Sequence, residues 1–480
     1  MAEQKKHTTR YILSGLALVL ILTGAIILNN IHEQSGADRI ASALDTDNGD
    51  LKINWSRFTS YEIELSDTLN ITSSGVYHLT GSLTDANIAV NVPDGKIKLI
   101  LDNVTIKNST GPAIVCYAAD DLVIELVGEN TLEDGATYAT NYDEDVKGAI
   151  YSKDDLTLQG SGTLNLTANY QDGIVGKDDL KINSGTYNII AADDGIRGKD
   201  SVYIVDGTFN IAAKGDGIKS TNETTVGKGF VLIEKGDFTI SAGDDGIHAE
   251  NNLVIQDGTI NIKKSYEGLE ARSIVINGGN ISVVASDDGL NAGGGSDTST
   301  TTSRQGGAMF DADENCILTI NDGNVYVNAS GDGIDSNGYL YLNGGTVVVD
   351  GPTNNGNGAL DSGISIVMNG GTVIAVGASG MAETLGNTSS VNSASIYFGS
   401  SQSAGTKVEI KNSAGDTIIT HTSAKAFNHM SVGTADFKEG ETYTIYLNGT
   451  KYQTFAISGI VTTVGNTNQN MMPGGGQNRR

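Results

Sequence analysis

Seven acidic residues stand at matched points of a repeating theme: Asp172, Asp194, Asp216, Asp245, Glu267, Asp288 and Asp332, each followed by Gly and then Ile or Leu. Asp193, Asp244 and Asp287 place a second carboxylate beside three of them. If successive turns stack like paired strands, at ~4.8 Å, neighbouring carboxylates lie about 5 Å apart. Like charges at that distance repel by roughly 1 kcal/mol in water and roughly 3 to 4 kcal/mol at an effective dielectric near 20. A cation between turns removes the repulsion. Ca²⁺ suits such a place, because it takes about six to eight oxygens in flexible geometry and adjacent corners offer carboxylates together with backbone carbonyls. The metal ligands expected on this reading are Asp172, Asp193, Asp194, Asp216, Asp244, Asp245, Asp287, Asp288 and Asp332. The plainer alternative is that Asp before Gly suits a tight corner, where its side chain caps its own backbone. That explains each residue singly but not a row of like charges, since Asn would serve the corner without repulsion. Outward splay and water screening would also relieve the strain.

The residue after each Ile or Leu points away from the core: Val175, Arg197, Lys219, His248, Glu270, Asn291 and Asp335. The next outward positions include Lys177, Lys199, Glu250 and Arg272. Lys177, Arg197, Lys199 and Lys219 therefore form a positive patch on an acidic chain. Together with His248 and Arg272 they are the expected carbohydrate-binding set, forming a groove for an extended anionic polymer, such as a uronic-acid chain, whose carboxylates bound Ca²⁺ would bridge. Charge balance against the acid row is the alternative. Tyr151, Tyr170, Tyr203 and Tyr266 are possible platforms for sugar rings. A Ca²⁺-dependent polysaccharide lyase would need a base such as Arg197, Lys219 or Arg272 to take the proton next to a uronate carboxylate. No further catalytic constellation accompanies these residues, and a fold does not confer an activity. A surface adhesin or stalk is the third reading.

These side chains need a scaffold that repeats. Asp172, Asp194 and Asp216 are spaced by 22 residues, a unit too short to close its own core, so it reads as one turn of a solenoid. Within each turn, apolar residues alternate in three short runs, as in Ile174/Gly176, Leu180/Ile182 and Tyr187/Ile189. Period-two alternation bounded by Gly marks strands with one buried face. Three strands per turn running in one direction predict an all-β chain, a right-handed parallel β-helix of about 22 residues per turn. Tyr187, Phe209 and Phe238 fall on inward positions and belong to the core. Ala149 and Ala359 begin degenerate turns at either end. Seven extra residues between Gly217 and Gly236, and 22 between Gly289 and Gly323, both enter between the first and second strands of their turn. They read as surface loops on one corner, and the longer, Gly293 to Glu314, has the length of one further turn.

The expected organisation is a basic tail over 1–10, an apolar segment over 11–28, a stalk over 29–60, the coil over 61–376, an antiparallel C-terminal β subdomain over 377–462 and a Gly-rich tail over 463–480. Irregular turns from Tyr61 to about Tyr138 would cap the coil, and Lys407 to Ile419 and Thr442 to Phe455 read as hairpins. Tyr11 to Leu28 carries no charge and follows Lys5, Lys6 and Arg10. As a helix it spans roughly 27 Å, enough for an anchor that leaves the repeat domain outside the cell. A cleaved signal peptide is the competing reading. Cys116 and Cys316 lie too many turns apart to pair and read as small buried residues. A formal charge of -27 argues against nucleic acid as a partner, and a monomer is expected.

The fragments Asp193-Asp194-Gly195-Ile196-Arg197-Gly198-Lys199-Asp200, Gly331-Asp332-Gly333-Ile334-Asp335-Ser336-Asn337-Gly338, Leu99-Ile100-Leu101-Asp102-Asn103-Val104 and Gly128-Glu129-Asn130-Thr131-Leu132 are distinctive together. In them the chain resembles exported bacterial carbohydrate-binding domain-containing proteins, clostridial-type parallel β-helices with a polysaccharide-lyase-like fold. The resemblance spans roughly Asp50 to Ile460. It implies Ca²⁺ at the Asp-rich corners and binding to cellulosic or acidic plant-wall polysaccharide. The ions carry over best where acids are paired, at Asp193/Asp194, Asp244/Asp245 and Asp287/Asp288. Glu267 has only Tyr266 beside it and departs from the paired-acid pattern.

Overall fold

Each short strand has one apolar face and nothing within its own turn broad enough to cover it, so the turns must stack. In the computed structural model, which describes residues 53–293 and 312–466, they do so as an all-β parallel β-helix. The strands form one continuous 36-stranded sheet system and a separate 4-stranded sheet. Three stacks run along the coil. The first contains Asp172–Gly176, Ile196–Gly198 and Ile218–Ser220, the second Asp179–Ile182, Ser201–Ile204 and Phe230–Ile233, and the third Thr186–Ala191, Thr208–Ala213 and Asp237–Ser241. Pairing is parallel and in register: Ile174, Ile196, Ile218, Ile247, Leu269, Leu290 and Ile334 follow one another up the first stack.

That column is fully buried, each residue contributing about 1.5–3 kcal/mol relative to exposure. In the third stack Tyr187 lies on Phe209 at 5.1 Å and Phe209 on Phe238 at 4.6 Å, stacked inside the core. The corner glycines of the repeat are required by close approach. A Cβ on Gly195 would fall 2.6 Å from the carbonyl oxygen of Gly217 on the next turn. The glycines of the second turn are required by backbone shape instead, as at Gly207 with φ 147. Ile274 and Ile276 come one residue early in the repeat, and the coil absorbs the loss by a register shift between Ala249 and Asn252.

Cys116 and Cys316 are buried free thiols. The turns before Tyr138 are more regular than the sequence suggests: Ser60–Leu65, Gly75–Thr84, Lys96–Asp102 and Asp121–Val127 stack in parallel register. Ser273–Ile276 pairs directly with Ile317–Ile320, so the second stack continues across the longer insertion without an intervening rung. Of that insertion, 294–311 lie outside the described residues.

The parallel stacking of the coil's turns ends at Thr372–Gly377. Phe427–Thr434 pairs with it antiparallel, and Ser393–Gln402 then pairs antiparallel with Phe427–Thr434. The 4-stranded sheet, built from the hairpins Lys407–Lys411/Thr417–Thr422 and Thr442–Leu447/Thr450–Ala456, packs on this extension through a second core that includes Ile374, Phe427, Phe437, Tyr443 and Phe455. The expected anchor over 11–28 lies outside the described residues, as does the expected 463–480 tail from 467 on. The first residues of that tail belong instead to the strand Val461–Val464, which pairs in parallel with Ser393–Gln402. Among the described residues no helix is long and apolar enough to cross a membrane.

Candidate functional site

The acid row forms a hydrogen-bonded ladder along one corner. Asp172 Oδ1 accepts the Asp194 backbone N–H at 3.2 Å, Asp194 Oδ1 that of Asp216 at 2.9 Å, Asp216 Oδ1 that of Asp245 at 2.8 Å, and Asp245 Oδ1 that of Glu267 at 3.3 Å. Asp288 and Asp332 do the same for Asp332 and Gly358, both at 2.5 Å. The carboxylate thus caps the next turn rather than its own, which corrects the simple corner reading. The corner carbonyls run the other way: those of Asp194, Asp216 and Asp245 accept the N–H groups of Gly173, Gly195 and Gly217, each at 2.8 Å. The carbonyls expected to join a metal site already accept these bonds.

Asp172, Asp194, Asp216 and Asp245 are buried. Burial, reinforced by the facing acids, raises the Asp172 pKa to about 7 and the Asp194, Asp216 and Asp245 values to about 6. Burial and the nearby Glu270 raise Glu267 to about 9. The ladder therefore holds carboxyls that lose protons reluctantly unless positive charge is near.

In the middle turns the chain supplies that charge. Arg197 lies 3.4 Å from Asp172 and 3.9 Å from Asp194, and Lys219 lies 2.5 Å from Asp216. His248 meets Asp245 at 3.1 Å and Glu270 at 2.7 Å, with Glu250 at 3.7 Å. Burial disfavours the charged ring, but hydrogen bonds to Asp245, Glu250 and Glu270 outweigh it and raise its pKa to about 12. With its side chain only 1% exposed, His248 lacks the outward face that the repeat position suggests, because acids from neighbouring turns close over it. Lys177, Lys199 and Arg272 sit further out, near Asp145 at 4.0 Å, Asp200 at 3.9 Å and Asp313 at 3.4 Å. Each basic residue of the expected set therefore lies beside an acid, and the inner members Arg197, Lys219 and His248 turn towards the ladder.

Two of the three acid pairs have a special setting. A Cβ on Gly215 would fall 2.5 Å from Asp194 Oδ1 and 2.6 Å from Asp193 Oδ1. On Gly331 it would fall 2.2 Å from Asp288 Oδ1 and 2.3 Å from Asp287 Oδ1. At both places a glycine on the following turn lets two carboxylates converge over bare backbone. After Asp244/Asp245 the matching residue is Tyr266, whose N–H donates to the Asp244 carbonyl at 2.7 Å.

Donor atoms of Asp172, Asp193 and Asp194 come within 4.8 Å of one another, as do those of Asp216, Asp245 and His248, and those of Asp245, Glu267 and Glu270. Buried acidic clusters of this kind could hold a metal ion. Asp155, Asp178 and Asp179 make a further cluster between the first and second strands. Sequence reasoning missed it, although the Asp154-Asp155 and Asp178-Asp179 doublets signal it.

At the C-terminal end the charges that act on the acids come from other acids, with backbone N–H groups as their partners. Burial and then the charges of Asp361, Asp288 and Asp332 raise Asp335 to about 8. Burial and Asp361 raise Glu383 to about 7, and burial and Asp332 raise Asp288 to about 7. Asp361 occupies in its degenerate turn the place that Asp335 holds one turn earlier, as the Ile334–Leu360 bridge shows. That signal was legible. Glu383 lies outside any repeat and gives none.

The tyrosines separate. Tyr151 is buried in a side cluster with Val115, Val146 and Val175 and cannot present a platform. Tyr170 stacks on Tyr138 at 4.3 Å, and Lys181 covers the Tyr203 ring at 4.9 Å. Tyr266 remains 47% exposed.

Residues 66–312 match the family model described as carbohydrate-binding domain-containing protein. A curated relative of that description from Acetivibrio thermocellus is 34% identical over 128 residues, 26% of this chain and 45% of the relative. The chain therefore matches less than half of that relative's length. Among solved structures, the polysaccharide lyase-like protein from C. thermocellum, a gadolinium derivative, is 29% identical with a TM-score of 0.41, covering 46% of this chain and 92% of that one.

Proposed function

Since the chain belongs to the carbohydrate-binding domain-containing family, we propose that it is an extracellular, Ca²⁺-dependent binder of acidic, pectin-like polysaccharide. The observation that carries this reading is the convergence of Asp193 with Asp194 over Gly215, and of Asp287 with Asp288 over Gly331, beside a face that bears Lys177, Arg197 and Lys199. Asp172, Asp193 and Asp194 would hold one ion, and Asp287, Asp288 and Asp332 another. Asp216, Asp244 and Asp245 are weaker candidates, because Lys219, His248 and Tyr266 take the corresponding space. At the first site an ion would have to displace Arg197 from Asp172 and Asp194, whereas Asp287, Asp288 and Asp332 have no basic partner among the described residues. Bound there, a divalent cation would neutralise the carboxylates and offer a coordination position to a sugar carboxylate. Lys177, Lys199 and Arg272 would meet the rest of an anionic chain lying along the coil, where subsites repeat from turn to turn.

Binding is favoured over lyase chemistry by the placement of the available bases. Arg197 and Lys219 face Asp172, Asp194 and Asp216, so a proton acceptor would first have to leave an ion pair. Retention of the full chain on insoluble pectate, with Ca²⁺ and with chelator, tests the proposal. Retention in Ca²⁺ that chelator abolishes is expected. Equal retention in both conditions, or none in either, would overturn it. Release of products absorbing in the ultraviolet would replace binding by lyase action.

A further inference from the structure

The outward side of the third stack carries a second surface of different chemistry. Its residues form rows of amides and hydroxyls. Asn188 donates to Asn165 at 2.8 Å, Asn210 to Asn188 at 2.9 Å, and Asn324 to Asn280 at 3.0 Å. Towards the C-terminal end the rows run under the hairpin strand Thr417–Thr422 and enter a groove of about 660 Å³, a size suited to several sugar rings. Asn261, Asn280, Ser282, Asn324 and Tyr326 form its floor, and Thr422 stands on its wall. None of these belongs to the acid ladder.

The Asp350–His421 pair in the lining is satisfied from within. Buried Asp350 accepts from Tyr326 Oη at 2.9 Å, Ser423 Oγ at 3.1 Å and the Ala424 N–H at 3.2 Å, and pairs with His421 Nε2 at 2.8 Å. These bonds fix the hairpin to the coil and hold the Tyr326 ring in place. What remains for a ligand is neutral: amides, hydroxyls, and the apolar surface of Tyr326 and Val348. Beyond the groove the outward rows continue at ~4.8 Å per turn, through Thr239 and Asn210 on one line and through the exposed Asp237 and Thr208 on the other, so the neutral stretch is the groove itself. Sugar hydroxyls both donate and accept, as Asn side chains do, and their C–H faces pack on aromatic rings. An anionic polymer finds no Lys or Arg in the lining to repay its desolvation.

We infer that this groove binds a neutral glycan chain running along the coil axis, a site separate from the acid corner and independent of metal. The inference rests on the reading of the protein as a carbohydrate binder. Calorimetric titration of the full chain with neutral gluco-, xylo- and manno-hexasaccharides, in chelator, tests it. At least one should bind, and Ser282→Trp, which fills the groove from an outward position, should weaken it by about tenfold or more while leaving the melting temperature and pectate retention unchanged. Asp193→Asn with Asp194→Asn should do the reverse. No binding of any neutral hexasaccharide, binding that needs Ca²⁺, or equal binding by Ser282→Trp would each overturn the inference. Loss of pectate retention alone, with neutral binding intact, would overturn the acidic-polymer reading and leave this one standing.

Discussion

At Asp194 three demands meet in one side chain. One oxygen caps the backbone of the next turn, the side chain is buried, and Asp193 brings a second carboxylate to the same spot above Gly215. The consequence for pH follows from the direction of the shifts. Asp172, Asp194, Asp216, Asp245 and Asp288 hold protons in the folded chain up to about 6 or 7, against an ordinary value of 3.8. Glu267 does so to about 9, against 4.5, and His248 to about 12, against 6.5. Raised values of either kind mean that the folded state binds more protons than the unfolded state between the two pKa values, so stability falls as pH rises through that window. Chelated protein should therefore melt at lower temperature at pH 8 than at pH 5, by about 5 °C or more, and saturating Ca²⁺ should flatten the dependence. A chelated melting temperature that rises over this range would contradict the picture of the ladder. Gly215→Ala, which pushes a methyl against both carboxylates, should remove part of the Ca²⁺-induced rise.

At the scale of the strand, the repeat does its work through register. Phe209 sits between Tyr187 and Phe238 in one inward column, and the core there cannot collapse without breaking ladder bonds on both sides. Phe209→Ala should cost about 3–5 kcal/mol in denaturant unfolding, whereas Asn210→Ala, on the outward side of the same strand, should cost under about 1 kcal/mol. Similar costs for the two would argue against the assigned faces. Most of this scale was legible in the residues, because inward columns, corner glycines and insertion sites all recur with the 22-residue spacing. The relation between turns was less legible. That Asp172 caps Asp194, that Glu270 closes over His248, and that Arg197 reaches back to Asp172 are contacts between residues 22 or more apart. A pattern within one turn does not encode them. Glu383 and the roof over the third stack come from segments without a repeat, so periodicity could not place them.

For the molecule as a whole, two surfaces with opposite character emerge from one coil. The corner concentrates carboxylates and a few paired cations; the third stack offers neutral amides under a C-terminal roof held by Asp350. The antiparallel extension through Phe427–Thr434 closes the end of the third stack, which protects strand edges from pairing with other chains. The buried thiols form no cross-link, so the ladder, its cations and the core carry stability together. Calorimetric titration of Ca²⁺ into chelated full-length protein bears most directly on the corner. Saturable binding should appear in the wild type, with Asp193→Asn plus Asp194→Asn removing one class of site and Asp287→Asn plus Asp288→Asn another. Absence of binding, or binding unaffected by both double substitutions, would contradict the assignment of the paired acids as cation sites.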